Sequence, residues 1–469
     1  MKMSFHSITR PISLAIMKNS RICMLALLLV ATTIGCNVQT EPMAAFEPNL
    51  VHAMKYQIQE EIPMAEAARD THWLAGQMFG TPDDPKLPEV ITEDEELASI
   101  VAMDNLVKAS GPADAEGRGL YRKHCVVCHG ITGNGRGPTA AVQVPYPRDY
   151  RMGVFKFKST PRGSKPAKDD FAKLIKHGIG GTAMVKIPEL TDSDIDALVD
   201  YVIYLSWRGE LERQAIDIAI FDGLLGEEGD RIINSDLGNR LKSNPSLRSE
   251  LEALSEKDED ALTELDAQRL DAFEAYEEAW EYAEDYAVEI GESWLEAQDE
   301  VIEVPEPPAD VPVAEDYADV LKLKSGEQAE AFLASVKRGQ ELFRGKVASC
   351  SKCHGETGMG DGQTNDYDDW TKDWTTRIGL KPEDRESLIP LLARGAFEPR
   401  NALPRNFAEG VFRGGASSED LYLRITQGIE GSPMPAATFV EGQFEEDDVW
   451  HLINYIRSLQ TVVPEPEAT

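Results

Sequence analysis

One short pattern, Cys-x-x-Cys-His, constrains this chain more than any other feature, and it occurs twice. The first copy is CVVCH and begins at Cys125, and the second is CSKCH and begins at Cys350. On a helical turn this spacing brings two thiols and one imidazole close together. Each copy must therefore lie in a unit that can present these three side chains to one ligand.

Three kinds of site use such residues. A redox dithiol needs the motif at the start of a helix after a buried strand, whereas the preceding AEGRGLYRKH is polar with helical spacing. A zinc cage built from both cysteine pairs has no place for the adjacent histidines. Haem attachment uses all three groups, because the thiols add across two vinyl groups and the imidazole coordinates iron. The sequence therefore predicts two covalently attached haem c groups, held by Cys125, Cys128 and His129 and by Cys350, Cys353 and His354.

The flanking sequences also repeat. HGITGNGRG at 129–137 pairs with HGETGMGDG at 354–362, and PRDYRMGVFK at 147–156 pairs with PRNFAEGVFR at 404–413. Further on, IKHGIGGTAM at 175–184 pairs with ITQGIEGSPM at 425–434. A repeat at this scale predicts two copies of one domain with one haem each. The shared glycines predict positive φ angles in a chain that turns close to a flat ring.

The repeat also selects the ligand on the opposite face of each iron. Met184 and Met434 occupy the same place in the two copies. His177 competes in the first copy, but its counterpart in the second is Gln427, which is not a usual haem ligand. We therefore predict methionine in both sites, which leaves no open coordination position and favours one-electron transfer.

Taken together, these motifs resemble class I c-type cytochromes arranged in tandem. The resemblance implies small all-α bundles in which the N- and C-terminal helices cross, with histidine and methionine as axial ligands. In that family a proline carbonyl often accepts a hydrogen bond from the histidine Nδ1, and Pro138 is the candidate in the first copy. Gln363 stands at that place in the second copy, so the partner of His354 is unassigned. Arg148 and Arg405 are candidates to pair with a haem propionate, with a surface role as the alternative.

The predicted fold class is all-α, with two class I cytochrome c domains joined by a long acidic helical insert. The predicted organisation is a signal peptide at 1–35, an N-terminal tether at 36–93, a first cytochrome c domain at 94–209, the acidic insert and Pro-rich linker at 210–323, and a second cytochrome c domain at 324–469.

The insert carries much of the chain's charge of −35, since residues 250–310 contain 23 acidic and two basic residues. Its apolar residues nevertheless recur every three or four positions, which predicts long amphipathic helices with a buried stripe. We expect that stripe to pack on a haem domain, on a second helix of the insert, or on another subunit, with a solvated single helix as the alternative. The acidic surface predicts redox partners with a basic docking face and no nucleic acid.

The N-terminal segment predicts export. Its first 35 residues contain four basic and no acidic residues and end in the apolar run ICMLALLLVATTIG, as in a signal peptide, with a membrane helix as the alternative. The sequence Thr33-Ile34-Gly35-Cys36 resembles the lipobox of bacterial lipoproteins, although Thr33 departs from the usual leucine and leaves ordinary cleavage as the alternative. We expect a periplasmic or cell-envelope protein anchored to a membrane through a lipidated Cys36.

The predicted function is that of an electron carrier, and not an enzyme, between respiratory redox partners outside a bacterial membrane. Two alternatives remain. The first is a dihaem enzyme, such as a peroxidase or a sulfur-compound dehydrogenase, with an unusual ligand at one iron. The second is a structural or docking subunit that binds other subunits of a respiratory complex.

Overall fold

The computed structural model describes residues 44–461 apart from 116, 222, 224, 226–230, 259 and 260. The described residues form helices, 3₁₀ turns and a few isolated bridges, with no β-strand among them. The all-α prediction is therefore confirmed. The predicted signal peptide and Cys36 lie outside the described residues. None of the helices in the described part of the chain is both long enough and apolar enough to span a membrane.

The helices follow one another in two groups around the two motifs. Up to the end of the first motif they are α1 (Leu50–Glu60), α2 (Ala65–Phe79), α3 (Glu89–Thr92), α4 (Glu95–Ala98), α5 (Met103–Ala109), α6 (Leu120–His124) and α7 (Val126–His129). The first domain and the insert continue with α8 (Lys168–His177), α9 (Asp192–Phe221), α10 (Ser235–Ser243), α11 (Pro245–Ser255) and α12 (Glu264–Asp299). The second domain contains α13 (Tyr317–Leu323), α14 (Ala329–Arg344), α15 (Ser351–His354), α16 (Asp369–Asp373), α17 (Arg385–Leu392), α18 (Ser418–Gln427) and α19 (Asp448–Ser458).

The long helix α9 is the axis of the first half. It begins at a reciprocal cap, in which the Asp194 amide donates to Thr191 Oγ1 at 3.2 Å and the Thr191 amide donates to Asp194 Oδ2 at 2.9 Å. Its 30 residues span about 45 Å. Because α9 continues to Phe221 without a break, the helix passes through the domain boundary predicted at 209.

The stretch predicted as a tether is part of the core wherever the structure describes it. Helix α2 packs against α9, and the fully buried ring of Phe79 lies 5.9 Å from the ring of Tyr204 and 6.2 Å from that of Trp207. The Tyr204 hydroxyl also donates to the Phe79 carbonyl. The tether prediction is therefore wrong for residues 44–93, because their apolar side chains complete the first domain's core.

The acidic insert packs on the first haem domain. On α12, the fully buried ring of Trp294 lies 6.0 Å from each of the rings of Phe155 and Phe171. Trp207 on α9 donates from Nε1 to the carbonyl of Ala287 on α12 at 2.8 Å. This contact identifies the surface that the predicted apolar stripe covers. The acidic residues of α12 are exposed or half-buried.

The second domain has a smaller core of its own. Helices α14 and α19 cross closely at Gly339, where a Cβ atom would lie only 1.9 Å from the His451 carbonyl oxygen. The Pro-rich linker is fastened to this domain by Asn454, which donates from Nδ2 to the Pro312 carbonyl at 2.9 Å and accepts from the Ala314 amide at 3.1 Å. This crossing of the helix before the motif, α14, with the last helix, α19, agrees with what the resemblance implies.

Candidate haem-binding sites

Each Cys-x-x-Cys-His motif forms a single helical turn. In the first copy the Cys128 and His129 amides donate to the Cys125 carbonyl at 3.1 and 2.9 Å. In the second copy the Cys353 and His354 amides donate to the Cys350 carbonyl, at 3.2 and 3.0 Å. The four cysteines form no disulfide. Two thiols and one imidazole are thus presented on adjacent positions of one turn, as the sequence predicts.

The ligand histidine is oriented by the same bond in both copies. His129 donates from Nδ1 to the backbone carbonyl of Arg148 at 3.4 Å, and His354 donates from Nδ1 to that of Arg405 at 3.2 Å. The prediction that Pro138 supplies this carbonyl is wrong, and the unassigned partner of His354 is identified. Both acceptors lie on the repeated Pro-Arg segment far along the chain, which folds back under the imidazole and leaves its Nε2 for a metal.

An aromatic ring stacks on each imidazole. The ring of Tyr150 lies 5.0 Å from that of His129 at an interplanar angle of 21°, and the ring of Phe407 lies 4.5 Å from that of His354 at the same angle of 21°. Sequence analysis missed these two residues. The signal was present, since Tyr150 and Phe407 occupy the same position in the repeated PRDY and PRNF blocks. The carbonyl and the ring together fix both the position and the tilt of the imidazole.

The glycine-rich turn after each motif fastens it to that aromatic residue. The amides of Gly135 and Gly360 donate to the carbonyls of His129 and His354 at 2.9 and 2.8 Å, with φ of +71° and +75°. Two residues earlier in each turn, the carbonyls of Gly133 and Gly358 accept hydrogen bonds from the amides of Tyr150 and Phe407, at 2.8 Å in both copies. The predicted positive φ angles are therefore observed at matching positions.

The two methionine loops also fold alike. In the first copy the Ile179 amide donates to the Met184 carbonyl at 2.7 Å, and the Met184 amide donates to the Thr182 hydroxyl at 3.1 Å. In the second copy the Ile429 amide donates to the Met434 carbonyl at 3.1 Å, and the Met434 amide donates to the Ser432 hydroxyl at 3.3 Å. Both methionine side chains are half-buried. The repeat thus extends to the conformation of the segment that carries the predicted second ligand.

The competing ligand in the first copy has a different setting. His177 is exposed at the last position of α8, and its counterpart Gln427 is the last residue of α18. Among the residues that the structure describes, none forms a hydrogen bond or an ion pair with the imidazole of His177. This geometry favours Met184, although the axial role of both methionines stays a prediction.

Burial sets the protonation of the motif side chains. It lowers the pKa of His129 to about 4, an effect that the nearby Arg148 cation reinforces, and it also lowers the pKa of His354. Burial raises the pKa of Cys125 to about 12 and that of Cys350 to about 11. At neutral pH the imidazoles are therefore uncharged, the form that coordinates iron, and these two thiols are protonated.

The two candidate arginines use their guanidinium groups elsewhere. The Arg148 guanidinium lies over the ring of Trp370 at 3.2 Å from its centroid, and that of Arg405 pairs with Glu409 at 3.2 Å. Pairing with a propionate stays a prediction for both. Their backbone carbonyls, rather than their charges, contact the ligand histidines.

These observations fit a covalently held haem at each motif. Two thiols and a neutral imidazole share one turn, the imidazole is aimed by a carbonyl and a ring, and a methionine loop of matching conformation recurs. Among the residues that the structure describes, no group of three or more His, Cys, Asp or Glu side chains is arranged to hold a metal ion. The two cysteine pairs are therefore not gathered into one four-thiolate site.

Comparison with known proteins agrees with the motifs. Residues 115–206 and 336–460 each match the sequence model of the cytochrome c family. No curated protein matches the chain significantly. Among solved structures, the chain is similar to a chain of the reducing HAO-like protein complex of Kuenenia stuttgartiensis, at 20% identity and a TM-score of 0.40. That similarity covers 75% of this chain and 98% of the other.

The prediction that the chain is an electron carrier and not an enzyme needs a correction. The solved structure is that of an HAO-like complex, and HAO denotes hydroxylamine oxidoreductase, which is an enzyme. The exclusion of enzymatic activity therefore does not stand. At a TM-score of 0.40 the similarity itself defines neither the fold nor a reaction.

Each matched segment contains one Cys-x-x-Cys-His turn, one histidine held by an arginine carbonyl, and one methionine loop, all in a helical frame. The agreement of family match, fold and local geometry leads to one conclusion. The chain contains two cytochrome c domains in tandem.

Proposed function

We propose that this protein is a dihaem c-type cytochrome that passes single electrons between respiratory redox partners at the outer side of a bacterial membrane. The observation that supports this most is the duplication of the histidine setting and the methionine loop, in nearly identical hydrogen bonds, at both sites. A covalent haem with histidine and methionine ligands cycles between Fe(II) and Fe(III), and the soft sulfur favours the reduced state.

The chain's own residues keep each site fixed during such a cycle. Cys125 and Cys128, or Cys350 and Cys353, would hold the ring at two points. Arg148 and Arg405 hold the imidazole through their carbonyls, so that its Nδ1 proton is retained and its ring does not rotate. A rigid setting is what electron transfer requires, because little rearrangement then accompanies the change in charge.

The acidic surface supports a partner of opposite charge. The chain carries a net charge of −35, and 23 acidic residues are concentrated between 250 and 310. A basic partner would be steered toward this surface at low salt. The exported location, and the membrane anchor at a lipidated Cys36, belong to the same proposal and rest on the sequence of residues 1–36.

The proposal is tested with the purified exported protein. We expect two covalent haems per chain, measured after denaturation in alkaline pyridine. Stopped-flow oxidation of the reduced protein is then compared for the cationic tris(phenanthroline)cobalt(III) and the anionic ferricyanide. Between low salt and physiological ionic strength, where the Debye length falls to about 8 Å, the cation should react more slowly and the anion faster. Rates that do not respond to salt would contradict electrostatic docking.

The ligation state separates this function from the enzyme alternative. If methionine occupies both irons, added carbon monoxide should bind the reduced protein slowly and incompletely. Rapid binding at one of two haems would reveal an open coordination position, and would favour a peroxidase-like or sulfur-compound dehydrogenase reaction at that haem.

A further inference from the structure

The two cytochrome c domains contact each other through their methionine loops. At Gly431, three residues before Met434, a Cβ atom would lie 3.2 Å from Val154 Cγ1 of the first domain. At Gly181, three residues before Met184, a Cβ atom would lie 2.9 Å from Val411 Cγ1 of the second domain. Val154 and Val411 are themselves equivalent in the repeat. The contact is therefore made twice, once in each direction.

Each of these contacts also approaches the arginine that holds the other domain's histidine. On one side, Gly181 lies near Arg405, since a Cβ atom added at Gly181 would lie 3.9 Å from Arg405 Nη2. The Gly181 carbonyl also accepts a hydrogen bond from Arg413 Nη2 at 3.4 Å. On the other side, Gly431 lies near Trp370, which in turn covers Arg148. The methionine loop of each domain thus lies against the segment that holds the ligand histidine of the other domain.

The two sides differ at Trp370, which has no counterpart in the first domain. It lies on α16, in the segment inserted into the second copy after its glycine block. Its ring packs against the Arg148 guanidinium at 3.2 Å, and its Nε1 donates to the Asp149 carbonyl at 3.1 Å. The opposite edge of the ring lies against the Gly431 backbone, where a Cβ atom would be 2.2 Å from Cζ3. The Asp369 amide, on the same helix, donates to the Gly431 carbonyl at 3.1 Å.

Ion pairs hold the domains in this arrangement. Lys173 and Lys156 of the first domain pair with Asp420 and Asp368 of the second at 2.6 and 3.5 Å, and Lys158 pairs with Glu430, the neighbour of Gly431. In each of these three ion pairs the cation comes from the first domain and the carboxylate from the second. The charges therefore favour one docking orientation.

We propose that Trp370 is the contact through which electrons pass between the two haem sites. The inference rests on the proposed function, since it requires a haem at each motif. One electron leaves the reduced site, whose iron is oxidised from Fe(II) to Fe(III), and reaches the other, whose iron is reduced from Fe(III) to Fe(II), with no proton transferred. Direct contacts lead from His129 through the Arg148 backbone and guanidinium and the Trp370 ring to the Met434 loop.

The sharpest test uses two matched substitutions. Gly431→Ala and Gly181→Ala occupy equivalent places in the methionine loops, at φ of +69° and +68°, so that both introduce the same backbone strain. Only Gly431→Ala displaces the Trp370 ring. Trp370→Leu removes the ring directly, and Trp370→Phe keeps an aromatic ring but loses the bond to Asp149.

The measurement is the concentration-independent phase of intramolecular electron transfer after one-electron reduction by pulse radiolysis of the two-haem protein. Haem count, both midpoint potentials and the optical spectrum are recorded for each variant. We expect Trp370→Leu and Gly431→Ala to slow this phase roughly ten-fold at unchanged potentials, because a displacement of about an ångström in a required geometry has effects of this size or larger. Gly181→Ala and Trp370→Phe should stay within about three-fold of wild type.

Each outcome decides a separate point. Unchanged rates in both Trp370→Leu and Gly431→Ala, with two haems present, would overturn the role of Trp370. Equal slowing in Gly431→Ala and Gly181→Ala would also overturn it, because strain in a methionine loop would then explain the effect. If Trp370→Leu does not fold, the two glycine variants decide. Fewer than two haems in the wild-type protein would instead refute the proposed function.

Discussion

The two cytochrome c domains share their haem settings but differ in what surrounds them. Each ligand imidazole has the same two neighbours in both domains, one arginine carbonyl and one stacked aromatic ring. Farther out, the first domain merges with the N-terminal helices and the acidic insert into a single large core, whereas the second has a compact core of its own. The comparison shows that a short stretch of backbone geometry defines the site, while the rest of the domain is free to change.

The largest effect is expected from removing one haem at a time. Cys350→Ala with Cys353→Ala should leave one covalent haem and unfold much of the second domain, because its core is the smaller of the two. Cys125→Ala with Cys128→Ala should also leave one haem, but the larger core should keep most of the first domain helical. Circular dichroism and limited proteolysis measure the difference. Equal loss of helix in the two variants would contradict the asymmetry.

The next effect concerns the ligands opposite the histidines. Met184→Leu and Met434→Leu should each lower the midpoint potential of one haem, within the range of about 0.8 V over which axial ligands act, because the sulfur that favours Fe(II) is lost. The exposed His177 provides the control, and His177→Ala should leave both potentials unchanged. Optical redox titration of the three variants measures this. A changed potential in His177→Ala, with none in Met184→Leu, would reverse the assignment in the first domain.

A third effect concerns the insert that only the first domain carries. Trp294→Ala should lower the free energy of unfolding of the first domain by about 3–5 kcal/mol, because it empties a fully buried aromatic position between α12 and the haem domain. The matched control on α12 is Leu265→Ala, whose side chain is 65% exposed and whose effect should be about 0.5 kcal/mol or less. Urea denaturation followed by circular dichroism gives both values. A similar cost for the two substitutions would show that α12 does not pack as described.

The smallest effect is expected at the N-terminus of α18, whose capping residue differs from that of the equivalent helix α8. Ser417 caps α18 by accepting from the Asp420 amide at 3.1 Å, whereas Ala167 at the same place before α8 has no side chain that can accept. Ser417→Ala should therefore cost about 1 kcal/mol in the second domain. Thermal unfolding monitored at the second haem measures this. No change would indicate that the bond from the Ser417 amide to Asp420, which the first copy also makes, is sufficient by itself.

The sequence predicts best those features that are local or repeated. The thiols and the histidine lie on one turn, and the positions of Met184 and Met434 follow from comparing the copies. Pro138 is the wrong acceptor for His129. The resemblance implies a proline carbonyl, and Pro138 is a proline close to the motif in the sequence. The real acceptor, Arg148, is 19 residues away, and only the folded loop brings its carbonyl to the imidazole.

The sequence does not predict which distant segments of the chain contact each other. The apolar spacing of the insert predicts a buried stripe, but it does not name Phe155 and Phe171 as its partners. Residues 44–93 were read as a tether because they carry no motif, although Phe79 and Leu74 are almost fully buried. Trp370 lies in an insertion without a repeat partner, so no comparison of the copies draws attention to it.

The central claim is that both motifs hold a haem with histidine and methionine as ligands. The most direct test is a potentiometric titration followed optically from the visible to the long-wavelength band of ferric methionine-ligated haem. We expect two one-electron reductions, with that band present at the intensity of two haems and lost as each is reduced. A band with the intensity of one haem or none would contradict it.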